Sequence, residues 1–304
     1  TASTYEELKS AISTANDGDT IKLLADIDLS QTITVNKTIT LNMNGKKLYN
    51  TSDLWDKPTA EDDNWSLISV RGSGNLTITG NGTFAAKEND CYAVDVQESA
   101  TVTIKNGTFI GNIHAVYVFA GTANVEGGTY SVQQKYPDSA KGDEFVLNCY
   151  DANRANGTAH INVTGGTFKN FNPADNKAEG EGNNFADNSL VVQKNNTVQN
   201  NDYYVGNAAN EVIAAASKGE EIFVLNGTTL TNVPAGVIIQ NRTGDRITVN
   251  GKDVELTGDA GYTVPASNIT IIVPGDTTPA ETPKTEDQKN PSTGANDFVG
   301  LAAA

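Results

Sequence analysis

Six side chains recur at spacings that suit a sugar. Asp95, Tyr117 and Asn148 hold equivalent places in successive strand-like segments, and Gln97, Phe119 and Tyr150 stand two residues further along. Aromatic rings stack on the faces of sugars, while carboxylates and amides hydrogen-bond hydroxyls. Alignment of the segments extends the pattern to two outward rows. One is Ser69, Asp95, Tyr117, Asn148 and Val191; the next is Arg71, Gln97, Phe119, Tyr150 and Gln193. An ordinary solvated sheet face would show the same rows without a ligand.

A second group of chemically able residues is acidic. Glu61, Asp62 and Asp63 are consecutive, inside a segment between strands. Segments 50–65, 85–90, 133–144 and 172–186 fall at one place in each repeat, so they should stack along one edge. Together they carry about half of the net charge of −16. Like charges gathered there would be relieved by a cation, and Ca²⁺ prefers oxygen ligands. The expected cofactor is none or Ca²⁺ on Glu61, Asp62 and Asp63, structural or bridging to an acidic glycan. Acidity that serves only solubility is the competing reading.

What must position these residues is a repeat. Val102-Thr103-Ile104-Lys105-Asn106-Gly107-Thr108-Phe109 is an alternating strand, a Gly bend and an aromatic. Leu76–Phe84, Asn124–Tyr130 and Ile161–Phe168 follow the same plan, and 39–48 is a looser copy. Alternation places Val102 and Ile104 on one face and Thr103 and Lys105 on the other. The aromatic anchors at 84, 109, 130 and 168 are 25, 21 and 38 residues apart, which is repeat spacing. Each unit has a second strand upstream: 67–70, 92–96, 115–118, 146–149 and 190–192. One unit cannot bury its apolar face alone, but stacked about 4.8 Å from a neighbour it can. The expected fold is all-β, a right-handed parallel β-helix, with an antiparallel sandwich as the alternative.

Composition agrees. The 304 residues hold 7% aromatics and one Met, so the core is built from Val, Ile and Leu ladders. The net charge of −16 argues against nucleic acid and anionic lipid as partners. Cys91 and Cys149 fall in different coils, which disfavours a disulfide.

Residues 1–16 read as an amphipathic helix that caps the open end of the solenoid. Thr4 and Glu7 have capping-box spacing, and Tyr5, Leu8 and Ile12 share a face. The β-helix is expected over 1–208. Residues 209–273 repeat the opening order of helix, turn and strands, as a small α+β domain or a C-terminal cap. Residues 274–289 are rich in Pro and Thr, hold no large apolar side chain, and are expected to be an extended spacer.

The last segment, 290–304, opens with Asn290, Pro291, Ser292, Thr293 and Gly294. This resembles the Asn-Pro-x-Thr-Gly sorting signal of Gram-positive surface proteins. The resemblance implies that a sortase cuts between Thr293 and Gly294 and joins the chain to cell-wall peptidoglycan. In that family an apolar span and a basic tail follow; here Leu301-Ala302-Ala303-Ala304 stands where such a span would begin. Residues 4–193, with their Gly-Gly-Thr-Phe recurrence and the Tyr5-Glu6-Glu7-Leu8 and Gly18-Asp19-Thr20-Ile21 opening, resemble pectate lyase-like right-handed β-helix adhesive domains of Gram-positive surface proteins. That resemblance implies a fold more than an activity, since such folds host enzymes and binders alike.

A lyase of that fold needs clustered carboxylates for Ca²⁺ and a basic residue beside them. The arginines are Arg71, Arg154, Arg242 and Arg246, and neither outward row holds two carboxylates. A glycosidase needs a flanking carboxylate pair, and His114 and His160 are too separated for a shared site. The expectation is a wall-anchored, extracellular adhesin or carbohydrate-binding module, monomeric and non-catalytic. A polysaccharide lyase or glycoside hydrolase is the alternative.

Overall fold

Each coil of the chain turns three corners. In the computed structural model, the described residues are 1–55, 65–134, 145–174, 184–185, 189–194, 201–207, 213, 216–225, 229–255, 258 and 260–266. The first sheet stacks Thr20–Lys22, Thr38–Asn42, Asn75–Thr79, Thr101–Ile104, Gly121–Val125, Ala159–Val163 and Asn184–Phe185. The second begins with Ile27–Asp28, Lys47–Tyr49, Thr83–Ala85, Thr108–Gly111, Thr129–Val132 and Gly166–Lys169. The third holds Ile33–Val35, Ser66–Val70, Tyr92–Val96, Val116–Val118 and Leu147–Cys149. Strands within these stacks pair parallel, each with its counterpart one coil away. Parallel crossovers between twisted strands close in the right-handed sense. The molecule is a parallel β-helix.

The sequence pattern had one strand too few per coil. The segment carrying each aromatic anchor is itself a strand, so the coil has three faces rather than two. The anchors do point inward. Phe84, Phe109, Tyr130 and Phe168 have no exposed surface and stack in series. Ring centroids are 4.9, 5.1 and 5.1 Å apart, with planes within 15° of parallel. Each stacked pair adds about 0.5–1.5 kcal/mol beyond its area burial. The bend that aims them needs a positive φ: Gly107, Gly128 and Gly166 have φ of 120°, 99° and 110°.

The first helix runs Tyr5–Thr14 and buries Leu8 and Ile12. The Glu7 amide donates to Thr4 Oγ1 at 3.2 Å, while the Glu7 carboxylate accepts from the Ser3 amide at 2.7 Å. Cys91 and Cys149 are buried thiols.

Residues 190–192 do not continue the upstream series. Ser189–Lys194 pairs antiparallel with Asp202–Asn207 and with Glu221–Val224, inside the second sheet. Val191 therefore leaves the Ser69–Asn148 row and packs into the coil core, and Leu190 and Val192 line a second core. Gln193 leaves its row as well, and is buried with its amide donating to Asn201 Oδ1 and Tyr203 Oη. Alternation reads the same in either pairing direction, so the pattern alone could not tell them apart.

Thr1–Ser267 forms one compact unit. Its last part restarts a coil: Glu221–Val224 pairs parallel with Ile238–Asn241, and Thr229–Leu230 with Ile247–Val249. The turn before it copies the opening turn. Gly18 donates to Thr38 O at 2.7 Å and Gly219 to Gly236 O at 2.8 Å, with φ of 90° and 86°. The Asn16 amide meets the Asp19 carboxylate as the Ser217 amide meets that of Glu220, at 2.8 and 2.7 Å. The helix expected at the start of 209–273, over 210–217, falls largely outside the described residues, and 274–289 and 290–304 lie wholly outside them.

Candidate functional site

The outer face of the third sheet carries the candidate residues. Ile68, Val70, Val94, Val96, Val116 and Val118 alternate inward, so their neighbours point out. Register pairs Ser69 with Asp95, Asp95 with Tyr117 and Tyr117 with Asn148, one coil after another. The next row continues by backbone bonds: Arg71 N to Val35 O, Gln97 N to Val70 O, Phe119 N to Val96 O and Tyr150 N to Val118 O, all 2.8–2.9 Å. Asp95, Gln97, Tyr117, Phe119, Asn148 and Tyr150 thus share one face.

They do not share one environment. Phe119 and Tyr150 are 39% and 42% exposed. Gln97, Tyr117 and Asn148 are half-buried. Asp95 has no exposed surface at all, so it is not a group a surface ligand touches. Outward in the pleat is not the same as exposed: Ser69, one coil before Asp95 in the same row, is equally covered.

Asp95 instead organises the residues around it. Its carboxylate accepts from Ser69 Oγ at 3.0 Å and from Gln97 Nε2 at 2.8 Å. Burial pushes its pKa up to about 6, against the opposing pull of those two hydrogen bonds and of the Arg71 charge. A second polar pair lies across the sheet. His114 Nδ1 is 2.7 Å from the Phe145 carbonyl, which only accepts, so Nδ1 carries the proton. Nε2 then accepts from Asn148 Nδ2 at 2.9 Å. Burial lowers the His114 pKa to about 4, which keeps the ring neutral and this arrangement intact.

Phe119 and Tyr150 stack at 4.9 Å with an angle of 26°. Asn153 Nδ2 donates to the Phe119 carbonyl at 2.7 Å, from the short helix Asp151–Ala155 that follows Tyr150. The pair is therefore held from the backbone side while its outer surface meets solvent.

At the acidic corner, Asp90 is buried and its carboxylate accepts from the Leu54 and Trp55 amides and from Asn50 Nδ2 at 2.7–3.0 Å. It staples the 50–55 segment rather than presenting oxygens to an ion. Asp53 pairs with Lys87 at 2.7 Å. Among the described residues no three His, Cys, Asp or Glu side chains gather as a metal site would require. Glu61, Asp62 and Asp63 lie outside the described residues, as do Asn290, Pro291, Ser292, Thr293 and Gly294.

The sequence reading gave no role to Trp55, Trp65 and Tyr92, and set His114 aside as too far from His160 for a shared site. Their rings meet the candidate row only through tertiary contacts, and nothing in their spacing marks them. Comparison of the chain with protein-family models, with curated proteins and with solved structures finds no match.

Proposed function

We propose that the outer face of the third sheet binds a glycan without cleaving it, as the recognition surface of a cell-surface adhesin. The observation that carries this reading is the exposed, stacked Phe119–Tyr150 pair, with the half-buried amide of Gln97 in the same row. Exposed rings normally hide from water; held rigidly beside hydrogen-bonding groups, they suit the apolar face and hydroxyl rim of a sugar. Asp95 is the one group in these rows that could give up a proton near pH 6, as a general acid does. Its burial keeps it from a scissile bond, and the rows hold no second carboxylate, so binding is favoured over lyase or hydrolase chemistry.

In the same reading the segment 274–289 spaces the module from the surface, and Thr293 is handed to a sortase for linkage to peptidoglycan. Incubation of the full chain with a sortase and mass spectrometry tests that part: cleavage between Thr293 and Gly294 supports it, and an intact chain refutes it. The glycan part is tested on an oligosaccharide array with wild type, Phe119→Ala and Tyr150→Ala. Each substitution should weaken binding about tenfold through the lost stacking. Equal binding by all three proteins would refute the assignment of the site.

A further inference from the structure

We infer that this face reads a neutral oligosaccharide chain laid along the strands, over an aromatic track that runs from Trp65 to Tyr150. The inference rests on the glycan reading above and names the class of its ligand. Four rings touch in series. Trp65 and Trp55 meet edge-on at 4.6 Å, Trp55 and Tyr92 at 5.2 Å, and Tyr92 and Tyr117 at 5.1 Å. Phe119 lies two residues after Tyr117, just past the end of the strand Val116–Val118, and stacks on Tyr150. The two ends of this track are its open parts: Trp65 is 41% exposed, as against 39% and 42% for Phe119 and Tyr150.

The distance between those ends sets the size of the ligand. Trp65 and Arg71 flank the strand Ser66–Val70, six residues apart, and Phe119 and Tyr150 stand in the Arg71 row two and three coils further on. At about 3.3 Å per residue along the strand and about 4.8 Å per coil across it, the ends are roughly 20–25 Å apart. A single sugar covers one end only; a chain can cover both.

Charge sets the class. The charges in the two rows are Asp95 and Arg71, and they offset each other: the Arg71 charge pulls the Asp95 pKa down. The whole chain carries −16, which repels a polyanion. The polar groups along the track are amides, the phenols of Tyr92, Tyr117 and Tyr150, and the indole N–H groups of Trp55 and Trp65. Gln97 commits one Nε2 hydrogen to Asp95 and keeps the other together with Oε1, so its amide can both donate and accept. Sugar hydroxyls also do both. A neutral, hydroxyl-rich chain therefore fits where a uronic-acid chain does not.

Calorimetric titration of the full chain tests this with cello-, manno- and malto-oligosaccharides from disaccharide to hexasaccharide, and with oligogalacturonates of matched length. Affinity for one neutral series should rise with length and then level. Trp65→Ala should lower affinity for the long members about tenfold and leave the disaccharide unchanged, while Tyr150→Ala lowers both. Trp65→Gln provides the same test should the alanine variant not fold, and the length dependence of wild type stands without either. Length-independent binding, tighter binding of oligogalacturonate, or competition by a peptide of sequence 274–289 would overturn the inference and leave the Phe119–Tyr150 site in place. No binding to any saccharide would overturn both.

Discussion

Gln97 Nε2 donates to Asp95 Oδ1 at 2.8 Å, so a carboxylate with no exposed surface fixes the side chain beside the exposed rings. The bond places Asp95 under the site as a positioning residue. It also makes the ionisation of Asp95 a stability term.

With a folded pKa of about 6, Asp95 binds its proton more tightly in the folded chain than in the unfolded chain, where a carboxyl titrates near 3.9. The stabilisation is complete below about pH 4 and is lost as pH rises through about 6. Two pKa units correspond to on the order of 2–3 kcal/mol. Asp95→Asn keeps an acceptor for Gln97 and removes the titration. Urea melts of both proteins between about pH 4 and 7 should show wild type losing that amount relative to the variant. Parallel curves would refute the buried titration.

Phe109 lies between Phe84 and Tyr130 with no exposed surface. Phe109→Ala opens a cavity in the ring stack and should destabilise by about 3–5 kcal/mol. Chemical denaturation checks it, and a loss under about 1 kcal/mol would contradict the ladder.

Asp90→Ala leaves the amides of Leu54 and Trp55 without their acceptor in a buried corner. The expected loss is about 3 kcal/mol. Because Trp55 supports Trp65, the variant should also show a weaker dependence of glycan affinity on chain length. Unchanged stability would mean that the staple is dispensable.

Gly111 ends its strand where the chain turns toward His114. A Cβ there would collide with the His114 carbonyl, which is backbone and cannot swing away. Gly111→Ala should shift His114 and, through its 2.9 Å contact, Asn148. Amide exchange around 112–118 should rise in the variant, with a lower Tm; an unperturbed exchange pattern would refute the clash.

Some of this was legible in residue order because it is local and periodic. Two-residue alternation sorts Val102 and Ile104 from Thr103 and Lys105 wherever the strand lies. The recurring Gly bend and aromatic mark Phe84, Phe109, Tyr130 and Phe168 as one ladder, and equal spacing within coils aligned Asp95 with Tyr117 and Asn148. The echo of Gly18-Asp19 in Gly219-Glu220 could also be read, since a turn depends on a few consecutive residues. Pairing direction could not. Val191 alternates with its neighbours as an upstream strand would, yet its strand joins the second sheet and pairs antiparallel on both sides, because the chain reverses after it. Burial could not either: Asp95 points outward by parity, and only the side chains gathered around it in the fold, Ser69 and Gln97 among them, take it out of water. The meeting of His114 with Asn148, and of Trp65 with Tyr117 through Trp55 and Tyr92, joins residues from different coils. Such contacts depend on where each corner loop folds back, and only the tertiary structure decides that.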